Sequence, residues 1–168
     1  ISMGDSEVLA LALDVTINDT QFRDYLSAPA RKKAGHTPDL RQDRKLLLQG
    51  LRQADVIGIP FMMHSELQLL ALKTLPHLLP PSQTYRYTDS AFGYLFASHG
   101  ELSHILRSRP KMRVLLVGNQ APALAKKMRG FNIVDCIAPV NGLTNMDDVL
   151  RKINRRRFDL ALVAAGTA

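Results

Sequence analysis

Asp5 and Glu7 stand one residue apart in the opening stretch ISMGDSEVLALAL, with Gly4 before them and Ser6 between. Two carboxylates so placed offer hard oxygen donors to a divalent cation such as Mg²⁺ or Mn²⁺, an ion that also bridges readily to a diphosphate. Whether they can share a ligand depends on the backbone. In a regular helix, residues two apart project about 200° apart, so the pair needs an extended or turn conformation. Gly4 supplies backbone freedom there, and the small Ser6 leaves room between the carboxylates. The same residues also read as a helix start, with Asp5 as N-cap and Glu7 as an acidic first-turn residue, stabilising a helix by about 1 kcal/mol. Spacing alone leaves both readings open.

The elements that must position this segment are legible along the chain. GDSEVLALALD predicts a short helix whose nearly continuous apolar residues require burial on most sides. SAPARKKAGHTPDL is polar, basic and rich in breakers, hence a loop. Leu40, Leu47, Leu48 and Leu51 predict a helix from Pro38, with Asp39 near its positive end. ADVIGIP reads as a strand ended by Pro60, and HSELQLLALKTL as a helix. Three of the nine prolines then crowd into PHLLPPSQ, a candidate lobe boundary near 76–84 because proline disfavours helix and central strand alike. YRYTDS reads as a short strand, and AFGYLFASHGELSHILRS as two helical pieces broken near Gly100.

The final third alternates KMRVLLVGN, APALAKKMRG, FNIVDCIAPV, NMDDVLRKINRRR and FDLALVAAG as strand, helix, strand, helix, strand. That is the pattern of an α/β, Rossmann-like domain: a mostly parallel sheet with helices on both faces. Ligands in such sheets bind beyond the carboxyl ends of the strands. Those exits are Gly58-Ile59-Pro60, Gly118-Asn119-Gln120, Pro139-Val140-Asn141-Gly142 and Gly166-Thr167. Gly118 leads into a helix whose free N–H groups suit a phosphate or a ribose hydroxyl. GNQAPA nevertheless lacks the dinucleotide glycine pattern and there is no Walker motif, so a turn needing glycine for its backbone angles is the competing account. In the basic helix Val149, Leu150 and Ile153 form the apolar stripe. Asp147 and Asp148 open it, while Arg151, Lys152, Arg155, Arg156 and Arg157 close it, an order that complements the helix dipole.

Composition narrows the classes. The 168 residues are 46% apolar and 22% charged, ordinary for a globular chain. No run approaches the roughly 20 apolar residues of a membrane helix, and no signal-peptide pattern opens the chain, so a cytoplasmic location is expected. Cys136 is the single cysteine, which excludes an internal disulfide and fits a small thiol in an apolar strand. The net charge of +7 favours anionic partners. Without aromatic–basic alternation or a binding-module signature, no specific nucleic acid is expected among them.

Taken in order, SMGDSEVLAL, ADVIGIP, VLLVGNQAPALAKKM, IVDCIAPVNG and FDLALVAAGTA resemble the bacterial GT-D-type glycosyltransferase fold family. Its members carry a Gly-Asp-x-Glu segment, an aD-x-x-GIP strand, a vL-x-VG strand and a late DL-x-L-x-a-x-G strand. The D-x-E motif alone is unspecific; the ordered set carries the resemblance, over nearly the whole chain. It implies one α/β domain over 1–168, cut from a longer chain. It also implies metal-assisted transfer of a hexose, typically glucose, from a UDP-sugar to a glycan or glycoprotein acceptor. The resemblance places Asp5 and Glu7 on a Mn²⁺ or Mg²⁺ ion and the sugar nucleotide, and puts Gly4, Ser6, Gly118 and Asn119 on the nucleotide side. Family members often read R-x-G-D-G-E at the motif, where this chain has Ser2 for the arginine and Ser6 for the second glycine.

On that reading an inverting transfer needs a base near the acceptor hydroxyl. Asp89 and Glu66 are the candidates, with His64 third, and each also has a structural account: Asp89 could simply open the following helix. The rival reading is a non-catalytic nucleotide-sugar or interaction domain that keeps the fold. A methyltransferase fits less well, because the glycines after VLLV are too sparse for its cofactor loop.

Overall fold

A computed structural model of the chain describes residues 1–27, 40–60, 65–141 and 145–164; of Asp5 and of residues 23, 25–27 and 40–43 it describes the backbone. The fold is α/β, and the chain forms two compact units, Ile1–Phe96 and Ala97–Ala168. The loop expected between residues 27 and 40, with Pro38 and Asp39, falls largely outside the described residues, as do His64, Gly142, Gly166 and Thr167.

The first unit contains α1 (Asp5–Ala12), α2 (Asp19–Ser27), α3 (Leu40–Leu51), β1 (Val56–Ile59), α4 (Ser65–Leu78) and β2 (Arg86–Asp89), and α5 (Phe92–Ser98) begins in it. β1 and β2 pair in parallel, Val56 beside Arg86 through Ile59 beside Asp89. On the other edge of β1 the first three residues add a short parallel run. Ile1 N donates to Val56 O at 2.8 Å, Gly58 N to Ile1 O at 2.7 Å and Met3 N to Gly58 O at 2.9 Å. Its core joins Met3 to Val8, Leu9 and Leu11 of α1, Leu51 of α3, Ile57 of β1 and Leu67 and Leu75 of α4, each at most 1% exposed. Helix α1 is therefore buried on most of its surface, as its unbroken apolar run requires. Past its carboxyl end, Arg44 Nη1 of α3 donates to Leu13 O at 2.9 Å, and buried Thr74 shares a 2.7 Å hydroxyl contact with Thr16.

Two readings of this half need correction. Pro76 lies inside α4, and the division between units falls after Phe96. Proline there costs one hydrogen bond in the last helical turn, and the buried Leu75 and Leu79 hold that turn in place. Helix α2 was not foreseen, although its start is written as a capping box. Gln21 N donates to Asn18 Oδ1 at 2.9 Å, Asn18 N donates to Gln21 Oε1 at 3.0 Å, and Phe22 follows into the core.

The second unit contains α6 (Glu101–Ser108), β3 (Val114–Gly118), α7 (Ala121–Lys127), β4 (Ile133–Ile137), α8 (Met146–Asn154) and β5 (Leu160–Ala164). Its sheet has the order β4-β3-β5, all parallel. The central strand is wholly buried. Leu115 and Val117 pack with Val149 and Ile153 of α8; Val114 and Leu116 pack with Leu106 of α6 and Ala121 of α7. Helices thus cover both faces of a parallel sheet, as the alternating pattern predicts. The parallel strands are divided between two small sheets, one to each unit. Gly100, at φ 81°, separates α5 from α6 where the break was expected.

Two contacts fix the β3–β5 pair. At its amino end Arg113 grips Asp159 through backbone N (2.8 Å), Nε (3.1 Å) and Nη2 (2.8 Å), a charge-assisted fork. At its carboxyl end Gly118 has φ 142°, and a Cβ there would stand 2.4 Å from Ala164 O. Gly118→Ala is therefore expected to lower unfolding stability by about 3 kcal/mol. Gly93→Ala, inside α5 with open space around its Cβ position, should change it by less than about 1 kcal/mol and in the stabilising direction. Urea unfolding of the two variants checks both signs.

The Arg113 hydrogen bonds hold the Asp159 carboxyl down at about 2. A carboxylate whose folded value lies below its unfolded value of about 3.9 stabilises the fold above that unfolded value, and the contribution disappears as pH falls through the folded one. Asp135 and Asp148 are lowered in the same direction, by Arg156 and by Lys152 with Arg151. Unfolding midpoints should therefore fall from about pH 4 to pH 2, and Asp159→Asn should flatten that slope.

Candidate functional site

The site is built at the carboxyl edge of the first unit's sheet, where three chain crossings meet. Ile1–Met3 runs out into Gly4, β1 runs out through Ile59 into Pro60, and β2 runs out through Asp89 into Ser90. Ser2 Oγ donates to Ser90 O at 2.8 Å and Ser90 N donates to Ile59 O at 2.8 Å, tying the three together. Gly58 makes this closeness feasible. A Cβ on it would lie 3.1 Å from Ser90 Cα and 3.2 Å from Ser2 Cα, tighter than ordinary side-chain packing. Ser2 is thus a link in the scaffold.

The opening segment is a strand-to-helix turn. Gly4 is the N-cap, extended at φ −92° and ψ −173°, and Asp5 is the first helical residue; the cap thus falls one residue earlier than expected. Glycine has no side chain to cap with, so only the reciprocal half of a capping box forms. Glu7 Oε2 accepts from Gly4 N at 2.9 Å and from Ser6 Oγ at 3.1 Å. That places one carboxylate oxygen on the positive end of α1, with Ser6 buried beneath it. The reading of Glu7 as a first-turn residue is realised in this geometry. Metal chemistry would use its Oε1, or require Oε2 to leave the cap.

Asp89 ends β2, and its Oδ1 accepts from Ala91 N at 2.7 Å, turning the chain into α5. Its Oδ2 is buried and has no hydrogen-bond partner among the described residues. A buried carboxylate oxygen without a partner is uncommon and keeps its acceptor capacity unspent. Glu66 is exposed in the first turn of α4. No three His, Cys, Asp or Glu residues gather as a metal cluster among the described residues; the Asp5 side chain is not one of the described groups. The donors at this edge, carboxylates at a helix start and an unmatched carboxylate oxygen, are of the type that Mg²⁺ and Mn²⁺ take.

The second unit places Gly118 and Asn119 at the exit of β3. Asn119 Nδ2 donates to Val140 O at 3.0 Å, and Val140 N donates to Asn119 Oδ1 at 2.7 Å. Both polar ends of this side chain thus tie the β3 exit to the β4 exit. Gly118 is required by its approach to Ala164, as described above. Cys136 is half-buried, its thiol directed at Ala121 O at 3.7 Å and pushed up by desolvation and then by Asp135. It is a packing thiol whose thiolate is disfavoured.

Sequence reasoning did not single out Ser2, Gly58 and Ser90 as a unit. The signal available was GIP followed thirty residues later by DSA, two strand exits with small residues, and only pairing reveals that they touch.

The Glu7 cap generates a prediction. Glu7→Ala removes the acceptor for Gly4 N–H and should lower stability by about 1 kcal/mol; Glu7→Gln keeps an acceptor oxygen and should stay within about 0.5 kcal/mol of the parent. Chemical denaturation distinguishes them.

Among the described residues no helix is long and apolar enough to cross a membrane. No curated protein and no solved structure gives a significant match to the chain. One family model does, that of the GT-D fold-like domain, and it matches residues 1–168. With the match spanning both units and the D-x-E segment at a strand exit of a parallel α/β fold, the chain belongs to the GT-D-like family.

Proposed function

We propose that this chain is a metal-dependent glycosyltransferase that moves a hexose, glucose in the first instance, from a UDP-sugar to a hydroxyl of a glycan or glycoprotein acceptor. The observation that carries the reading is the position of Gly4–Glu7 at the carboxyl edge of a parallel sheet in a GT-D-like chain, the edge where α/β folds bind ligands. In this reading Asp5 and Glu7 hold Mn²⁺ or Mg²⁺, and the ion, when bound, offsets the charge of the departing diphosphate. Gly4 and Ser6 matter as donors in this reading: the Gly4 N–H and Ser6 hydroxyl, satisfied by Glu7 Oε2, would be open to a phosphate oxygen if Glu7 held the ion instead. Gly118 and Asn119 belong to the nucleotide side.

Asp89 is the better-supported base of the two. Its Oδ2, unpartnered and shielded from water, has the spare acceptor capacity that taking a proton from an acceptor hydroxyl requires. Glu66 is exposed on a helix start, where a proton is more readily exchanged with solvent.

A second reading has its own observations. Glu7 serves as a helix cap and Asn119 is spent on Val140, and Ser2 stands where the resemblance leads one to expect an arginine. A domain that keeps the fold and binds a nucleotide sugar, or a partner, without turnover accounts for these.

One assay separates the readings. With UDP-glucose and Mn²⁺, the parent should release UDP, and chelator or Asp5→Ala should reduce the rate at least about 100-fold. Glu7→Gln should lose activity to a similar degree while keeping its stability, and Asp89→Asn should lower kcat more than KM. Turnover indifferent to chelator and to Asp5→Ala would falsify the metal mechanism. UDP-glucose binding with no UDP release across a panel of acceptors favours the non-catalytic domain.

A further inference from the structure

The net charge of the chain is carried by one of its two units. Ala97–Ala168 holds twelve Lys and Arg against five Asp and Glu, a net of +7, whereas Ile1–Phe96 holds ten of each. The twelve cations fall in three blocks, residues 107–113, 126–129 and 151–157, with none in 114–125, 133–150 or 158–168. Each block is the end of a helix and the approach to a strand: α6 into β3, α7 into β4, α8 into β5. Because β4, β3 and β5 are parallel neighbours, all three approaches arrive at the amino edge of one sheet. Contacts join the approaches to one another: Asn132 Nδ2 donates to Lys111 O at 3.3 Å, and Arg113 is bonded to Asp159. Among the described residues of this unit, the carboxyl edge, with Gly118 and Asn119, has no cation.

Internal electrostatics use only part of this charge. Arg113, Arg151, Lys152 and Arg156 are in ion pairs. Arg107, Lys126 and Lys127 lie in last helical turns, where they complement the dipole. Arg109, Lys111, Arg129, Arg155 and Arg157 lie beyond the helix ends, are exposed, and have no ion pair with the described residues. Five unpaired cations on one rim repel each other, and neither fold stability nor helix capping requires them.

We infer that this rim docks on an anionic phospholipid surface. The three blocks contain no aromatic residue, so there is no platform on which bases could stack. The rim presents helix carboxyl ends, whereas the common groove readers of duplex DNA lead with a helix amino end or flank. Cations spread over three chain segments match a headgroup layer, which is flat and whose anionic lipids can gather under each charge without fixed spacing. Docking by the amino edge turns the carboxyl edge of the same sheet, with Gly118 and Asn119, away from the bilayer.

Flotation of the full chain with vesicles tests this. Binding is expected to phosphatidylcholine vesicles containing about one-third phosphatidylglycerol and not to pure phosphatidylcholine, and to weaken at least tenfold between low salt and about 0.3 M. The triple variant Arg129→Gln, Arg155→Gln, Arg157→Gln should bind at least tenfold more weakly. A control with the same net charge, Lys45→Gln, Lys73→Gln, Arg86→Gln, should remain within about threefold of the parent; thermal unfolding verifies that each variant is folded. Equal binding to neutral vesicles, no binding to anionic ones, or equal loss in both triple variants overturns the inference. So does tighter binding to duplex DNA or single-stranded RNA than to vesicles at matched phosphate. Should the rim variant not fold, salt-insensitive binding of the parent chain overturns it alone.

Discussion

Gly58 has no side chain, and the position of the Gly4–Glu7 segment follows from that. Ser2 and Ser90 close on the two sides of Gly58, with approach distances of 3.1 and 3.2 Å to the place a Cβ would take. The Ile1–Met3 run can then share hydrogen bonds with β1, Met3 enters the core, and the chain turns into α1 just beyond the sheet's carboxyl edge. A larger residue at 58 would push one neighbour away and carry the carboxylate segment with it.

Once the turn is fixed, the chemistry of Glu7 is set by a competition between two needs. The amino end of α1 leaves N–H groups unsatisfied, and Gly4 cannot cap them, so Glu7 bends back to do it. That arrangement keeps a carboxylate and its donors together at a strand exit, in the company of Asp89 with its unmatched oxygen. The same groups serve the helix now and have the composition to serve a cation and a diphosphate.

The second unit solves a related problem by different means. Its strands are aligned by the Arg113–Asp159 fork at one end and by the side-chain-free Gly118 at the other. Cations gather at the forked end because helix carboxyl termini and strand approaches coincide there, while the opposite end carries Gly118, Asn119 and the acidic start of α8 at Asp147 and Asp148. The first unit is balanced at ten charges of each sign.

Most elements were legible in the sequence because apolar runs and breakers act locally: β1, β3, β4 and β5, the buried α1 and the break at Gly100 all follow from residue types alone. The α/β class and the family resemblance came with them. Where local rules failed, a tertiary contact or an overlooked cap was the cause. Pro76 stays in α4 since its apolar neighbours are buried, and α2 was announced by Asn18 and Gln21, whose reciprocal bonds need only three residues of separation. The sequence by itself determined which residues carry charge and donors and the order in which strands occur. Only the tertiary structure decided that Ser2, Gly58 and Ser90 touch, that Asn119 is committed to Val140, and that three separate basic blocks form one rim. Parallel pairing made those decisions, since within each sheet it joins strand ends far apart in sequence and sets the strand exits on one edge and the approaches on the other.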